Sequence, residues 1–175
     1  MKTVQLPIAL LLAAAAVPAQ AQPQAQAQPA AQAPAARPLT QYGEPVTLAH
    51  ARRIVDAAHA AARGRGFTMA FAIVDPSGSL VLFEKMDGTQ NGSIEVALQK
   101  ARTSALFRRT TRSFFDAVAS GRVQSMTVPN VIAIEGGVPI VVGGRVVGAI
   151  GVSGGSAQED GEIAAAALAA AGGAN

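Results

Sequence analysis

Residues 136–155, GGVPIVVGGRVVGAIGVSGG, carry 8 of the chain's 18 glycines. Two readings compete: a phosphate-cradling loop, or the turns and close contacts of a sheet. Between the glycines lie VPIVV and RVVGAIGVS, two runs rich in β-branched residues and separated by Gly143-Gly144. Two such runs joined by a glycine pair mark a β-hairpin, whose two-residue turn requires the positive φ that glycine adopts without strain. By the same rule, Gly136-Gly137 is expected to turn the chain between VPIVV and a preceding strand, VIAIE (131–135). Gly148 and Gly151 fall inside a strand, where a missing side chain marks a bulge or the close approach of another backbone or a ligand. Gly154-Gly155, followed by Ser156 and a helix, can turn amide groups toward an anion. The chain contains no G-x-x-x-x-G-K-[ST] sequence and no dinucleotide fingerprint after a first strand. The glycines therefore read mainly as sheet architecture, with no dinucleotide cofactor.

The flanking segments supply what covers that sheet. PVTLAHARRIVDAAHAAARGRG (45–66) offers Thr47 as an N-cap, apolar residues at Leu48, Ala51, Val55, Ala58 and Ala62, and stops at Gly64 and Gly66, which predicts an amphipathic helix. FTMAFAIVD (67–75) is apolar on both parities, as a strand buried on both faces must be. Pro76-Ser77-Gly78 turns it into its partner, SLVLFEKM (79–86). Ser93 is placed to cap a second helix with a stripe of Ile94, Ala97, Leu98, Ala101 and Ala105. Val96, Thr103 and Phe107 lie on its far side, which either scatters a few apolar groups on the surface or meets a subunit or a ligand. TRSFFDAVASG (111–121) reads as a short helix, VQSMTVPN (123–130) as irregular chain, and SAQEDGEIAAAALAAA (156–171) as a last helix with acids near its positive end. The links among the last three strands are too short for crossovers, so the fold class is α+β with a mainly antiparallel five-stranded sheet covered by helices.

The ends are of another composition. MKTVQLPIALLLAAAAVPAQA (1–21) has Lys2, an apolar run from Leu6 to Val17, and a small-x-small site at Ala19-Gln20-Ala21, the pattern of a secretory signal peptide cleaved after Ala21. Residues 22–41 are Gln/Ala/Pro-rich and lack the large apolar side chains that would order them, so a disordered linker is expected before a domain at 42–175. These segments inflate the 50% hydrophobic content. No other run approaches the about 20 apolar residues of a membrane span. The expected location is periplasmic or secreted, yet there is no cysteine, so disulfides and thiol chemistry are excluded. The formal charge of +3 gives mild support for an anionic ligand, and the absence of an aromatic and basic array argues against nucleic acid.

AIVDPSGSLVLFEKMDG, KARTSALFRR, GGVPIVVGGRVVGAIGVSGGSAQEDGEIA and the VTLAHARRIVDAA helix, in this order and spacing, resemble the GlcG/HbpS family. These are haem-binding proteins to which haem degradation is also ascribed, and the family includes the C-terminal domain of PduO-type corrinoid adenosyltransferases. The likeness covers residues 46–170. It implies a profilin-like fold, assembly into dimers or higher homo-oligomers, and exported haem-binding members.

Haem iron is ordinarily held by His, Cys, Met or Tyr. His50 points away from the apolar stripe of the first helix, whereas His59 sits on its flank. A haem-binding PduO-type domain uses a histidine from its first helix, and His59 is the matching position, either an iron ligand or a plain surface residue. HbpS-like members implicate a threonine after K-A-x, which corresponds here to Thr103 in Lys100-Ala101-Arg102-Thr103. Lys100, Arg102, Arg108, Arg109 and Arg112 form the main basic cluster, suited to haem propionates or a small carboxylate, or to the negative end of their own helix. Glu159 and Glu162 have the E-x-x-E spacing of a surface iron motif in HbpS-like members but lie at the start of the last helix, where acids serve the dipole. Three functions compete: an exported homo-oligomer that sequesters or senses haem or a related tetrapyrrole; an enzyme acting on a small carboxylate or haem product; and a structural subunit with no small ligand.

Overall fold

The computed structural model describes residues 40–172; the expected signal peptide and nearly all of the expected linker lie outside the described residues. The elements are β1 (Gln41–Tyr42), α1 (Leu48–Gly64), β2 (Ala70–Val74), β3 (Leu80–Lys85), α2 (Ser93–Phe107), α3 (Arg112–Ala119), a 3-10 turn (Val123–Thr127), β4 (Gly137–Val142), β5 (Arg145–Ser153) and α4 (Ala157–Ala171). The fold is α+β with a mainly antiparallel five-stranded sheet, as the sequence predicts.

β5 is the axis of the sheet. It pairs antiparallel with β4 through the Gly143-Gly144 turn and with β2 through Ala149–Ser153, while β3 continues from β2. Both turn glycines have positive φ, 56° and 72°, as the hairpin requires. The fifth strand is not the expected one. VIAIE forms no strand; Gln41 and Tyr42 run parallel to the start of β5 instead, pairing with Arg145 and Val146. Gln41, expected in the linker, is thus part of the sheet. The 131–135 segment is held by a side chain: the Thr103 hydroxyl accepts the Ile132 amide at 3.0 Å and donates to the Asn130 carbonyl at 2.9 Å. Gly136-Gly137 makes no hairpin either. Gly136 is buried at φ 125° with its carbonyl accepting from Val152, and Gly137 opens β4.

Each face of the sheet has its own cover. α1 and α4 bury Ile54, Val55, Phe71, Ile73, Ile150, Val152, Ile163 and Leu168 on one face. α2 buries Ala70, Ala72, Val74, Ala97, Ala101, Ala105 and Ala149 on the other. β2 therefore sends its odd and even residues into two different cores, which is why it is apolar throughout. The α2 face is built of small residues because the helix backbone lies almost on the strand: a Cβ at Gly151 would strike the Ala97 carbonyl.

Thr47 caps α1, accepting from the His50 amide at 3.2 Å. Leu48, expected in its buried stripe, is 48% exposed, and Ile54 fills the core in its place. Ser93 does not cap α2: Gly92 precedes the helix, and the Ser93 hydroxyl turns inward to accept from Ser153 at 3.2 Å. The far side of α2 is covered by its own chain, with Phe107 edge-on to Phe114 of α3 at 5.4 Å and Thr103 fully buried.

Candidate functional site

The β2–β3 register places Phe71 opposite Glu84 on one face of the sheet, and α1 crosses above them. His59 descends from α1 onto this pair. Its ring lies 4.8 Å from that of Phe71, and its Nε2 lies 2.9 Å from Glu84 Oε2. The His59 side chain is 17% exposed and that of Glu84 40%, so the contact sits at the edge of the protein rather than inside it. Nδ1 is buried without a partner. One turn along α1, Arg63 lies on the same side. His59, Arg63, Lys85, Met86 and Asp87 line an open hollow of about 330 Å³. An imidazole, a thioether, two cations and the Asp87 carboxylate thus meet around one space.

The other expected site residues do not join this hollow. Thr103 is on α2, which covers the opposite face, and its hydroxyl both donates and accepts within the 130–132 segment, away from the His59 hollow. Lys100, expected among the ligand-binding cations, is 1% exposed; its ammonium meets Asp160 Oδ2 at 2.6 Å and the Val152 carbonyl at 3.0 Å. Burial pushes the Lys100 pKa down against the pull of Asp160, and burial pushes that of Asp160 up against the pull of Lys100. The pair ties α2 to the start of α4. Asp160 also accepts from the Gly155 amide at 2.9 Å, so the anion cradled by Gly154-Gly155 belongs to the protein itself.

The arginine cluster disperses. Arg102 donates to the Gly78 carbonyl at 3.3 Å, Arg108 donates to Thr40 and lies over the Tyr42 ring, Arg109 lies over Phe114, and Arg112 pairs with Glu135. Sequence order collects these residues, but each guanidinium leaves α2 or its exit in a different direction. Glu159 and Glu162 part as well: Glu159 forms a capping box with Ser156, and Glu162 pairs with Arg65 at 2.8 Å. Among the described residues no group of three or more His, Asp or Glu side chains is placed to hold a metal ion. His50 has a buried Nε2 without a partner and lies outside the hollow. Sequence reasoning placed His59 at the rim of a pocket but did not anticipate Glu84, Phe71 and Lys85 from β2 and β3 or Met86 and Asp87 after β3; only Arg63, four residues on, carried a local signal.

The family model for the haem-degrading protein HbpS-like family matches residues 46–169. The chain belongs to the HbpS-like family. Among its curated relatives is the protein GlcG of Escherichia coli, 36% identical over 103 residues, covering 59% of this chain and 77% of GlcG. Two solved structures share this HbpS-like fold. A double mutant of Streptomyces reticuli HbpS is 31% identical with a TM-score of 0.67, covering 81% of this chain and 97% of that one. A PduOC:haem complex is 27% identical with a TM-score of 0.66, covering 72% and 94%. Haem binding is thus established within the structural neighbourhood of this HbpS-like chain. No helix among the described residues is long and apolar enough to cross a membrane.

Proposed function

We propose that the protein binds haem at the His59 hollow, and that it does so as an exported homo-oligomer that sequesters or senses the tetrapyrrole. The observation that carries the reading is the position of His59, an imidazole at the edge of an open hollow flanked by Arg63 and Lys85. Haem supplies an iron that takes an imidazole nitrogen and two propionates that take cations. His59 Nε2 is the nitrogen for the iron, since Nδ1 is buried. Ligation at Nε2 would place the ring proton on Nδ1, which is buried and has no partner in this structure. Phe71 fixes the ring from beneath, and Arg63 and Lys85 pair with the propionates.

Glu84 has to leave Nε2 before iron can take it. An exposed pair of this kind contributes about 0–1 kcal/mol, a small barrier to displacement. The hollow is open, so this chain alone would cover a macrocycle held there only in part. The leader at residues 1–21 supports export. The dispersal of Arg102, Arg108 and Arg109 into separate contacts gives the small-carboxylate enzyme no converged set of cations at α2.

A haem titration followed at the Soret band, with light scattering on the same samples, tests the proposal. Saturable binding at one site per chain or per dimer, lost in His59→Ala, is the expected result. Unsaturable binding, or binding unchanged in His59→Ala, removes the site.

A further inference from the structure

A second pair of hollows lies around Arg112 and Glu135. The Thr111 hydroxyl accepts the Gly137 amide at 2.9 Å while the Thr111 amide donates to the Gly137 carbonyl at 3.0 Å, which pins the start of α3 to the start of β4. Arg112, next to Thr111, and Glu135, two residues before Gly137, meet beside this clamp. Arg112 Nη1 reaches both Glu135 oxygens, at 3.3 and 3.4 Å. These contacts are longer than the about 2.7–2.9 Å of a well-formed charge-assisted bond. The Arg112 side chain is 56% exposed and that of Glu135 18%, so the carboxylate is seated, while the exposed guanidinium also meets Asp116 of its own helix at 3.7 Å. Glu135 rests against Gly161 of α4, where a Cβ would come within 2.6 Å of its carboxylate oxygen.

This ion pair forms the wall between a hollow of about 200 Å³, lined by Gly136, Gly137 and Gly161, and one of about 360 Å³, lined by Phe115 and by Ser156, Ala157 and Gln158 at the start of α4. The first falls below and the second just inside the lower end of the about 300–1,000 Å³ of drug-sized sites. The amides of Ala157 and Gln158, the first two residues of α4, have no acceptor within the helix. Phe115 is 48% exposed, an apolar wall beside them.

We propose that this junction binds a small zwitterion of the α-amino-acid class. The ligand's carboxylate takes Arg112 and the first-turn amides of α4, its ammonium takes Glu135, and its side chain lies along Phe115. Charge balance selects the class. A zwitterion exchanges one loose internal pair for two pairs, whereas a simple carboxylate faces Glu135 as a second anion and a simple amine leaves Arg112 only its 3.7 Å contact with Asp116.

The test uses three molecules of one carbon skeleton: L-leucine, 4-methylpentanoate without the amine, and 3-methylbutylamine without the acid. Calorimetric titration of the full chain is expected to show saturable binding of leucine at one site per chain, with the two truncated analogues about tenfold weaker or more. Arg112→Gln and Glu135→Gln should each weaken leucine by about tenfold with far-UV circular dichroism unchanged. Arg112 is exposed, so its variant keeps the test valid if the Glu135 variant misfolds. Equal binding of 4-methylpentanoate, no response to leucine at millimolar concentration, or leucine binding unchanged in Arg112→Gln overturns the proposal.

Discussion

Glu84→Gln and Glu84→Ala should both tighten haem binding. In the haem-free protein, Glu84 Oε2 lies 2.9 Å from the nitrogen that the iron needs, so carboxylate and iron compete for one site. The size of the effect follows from exposure. With side chains 17% and 40% exposed, the contact belongs with partly solvated surface pairs worth about 0–1 kcal/mol, which converts to an affinity gain of up to about fivefold. Gln keeps a carbonyl oxygen that can still accept from the ring, so it should recover only part of the gain; Ala removes the competitor entirely. Loss of a negative charge beside the propionates acts in the same direction. The assay is the Soret titration of the three proteins in one buffer, with thermal unfolding of the haem-free forms to measure what the contact contributes to the fold. Weaker binding in both Glu84 variants, alongside loss of binding in His59→Ala, would refute competition, and Glu84 would then act as a support for the ligated imidazole.

The buried Lys100–Asp160 pair should behave as a unit. Lys100→Met leaves Asp160 nearly inaccessible and without its partner, which costs about 3–5 kcal/mol of unfolding free energy in urea titrations, while Lys100→Met with Asp160→Asn should cost less than the single change. Additive losses would show that the two side chains are not coupled. The start of α4 sets a limb of the acid stability profile. The Ser156 amide and hydroxyl hold the Glu159 carboxyl below the ordinary range, and the Gln158 amide followed by Arg65 does the same for Glu162. A depressed folded-state value contributes stability that is present above the unfolded value, about 4.3, and lost as pH falls through the folded one. Thermal stability should therefore decline below about pH 4.3, and replacing both glutamates with glutamine should flatten that limb. Asp160 is shifted the other way and does not add to this decline; an unaltered acid limb in the double variant would place its origin elsewhere.

The sheet was legible where periodicity and glycine spacing act locally and illegible where distant side chains decide. The Gly143-Gly144 hairpin and the doubly buried β2 follow from neighbours in sequence. VIAIE fails as a strand although its residues favour one, because Thr103, some thirty positions away, takes the Ile132 amide that a ladder would need. The short β1 carries no apolar signal at all; Gln41 and Tyr42 are recruited by an open stretch of β5 beyond the end of β2.

The same division runs through the site. A sequence run such as Lys100, Arg102, Arg108, Arg109 and Arg112 suggests one basic patch, but Lys100 and Arg102 lie about 200° apart on α2, Arg108 and Arg109 follow its end, and Arg112 opens α3. What gathers cations around His59 is instead the crossing of α1 over the β3 edge, where Arg63 arrives from the helix and Lys85 from the strand. A ligand site on this fold is therefore found by asking which elements cross, and the crossing that holds a histidine is the one made by α1 and β3. Lys100 makes the complementary point: the most conspicuous lysine of the basic run is the one that the α2–α4 contact buries, because a carboxylate on another helix was required to admit it.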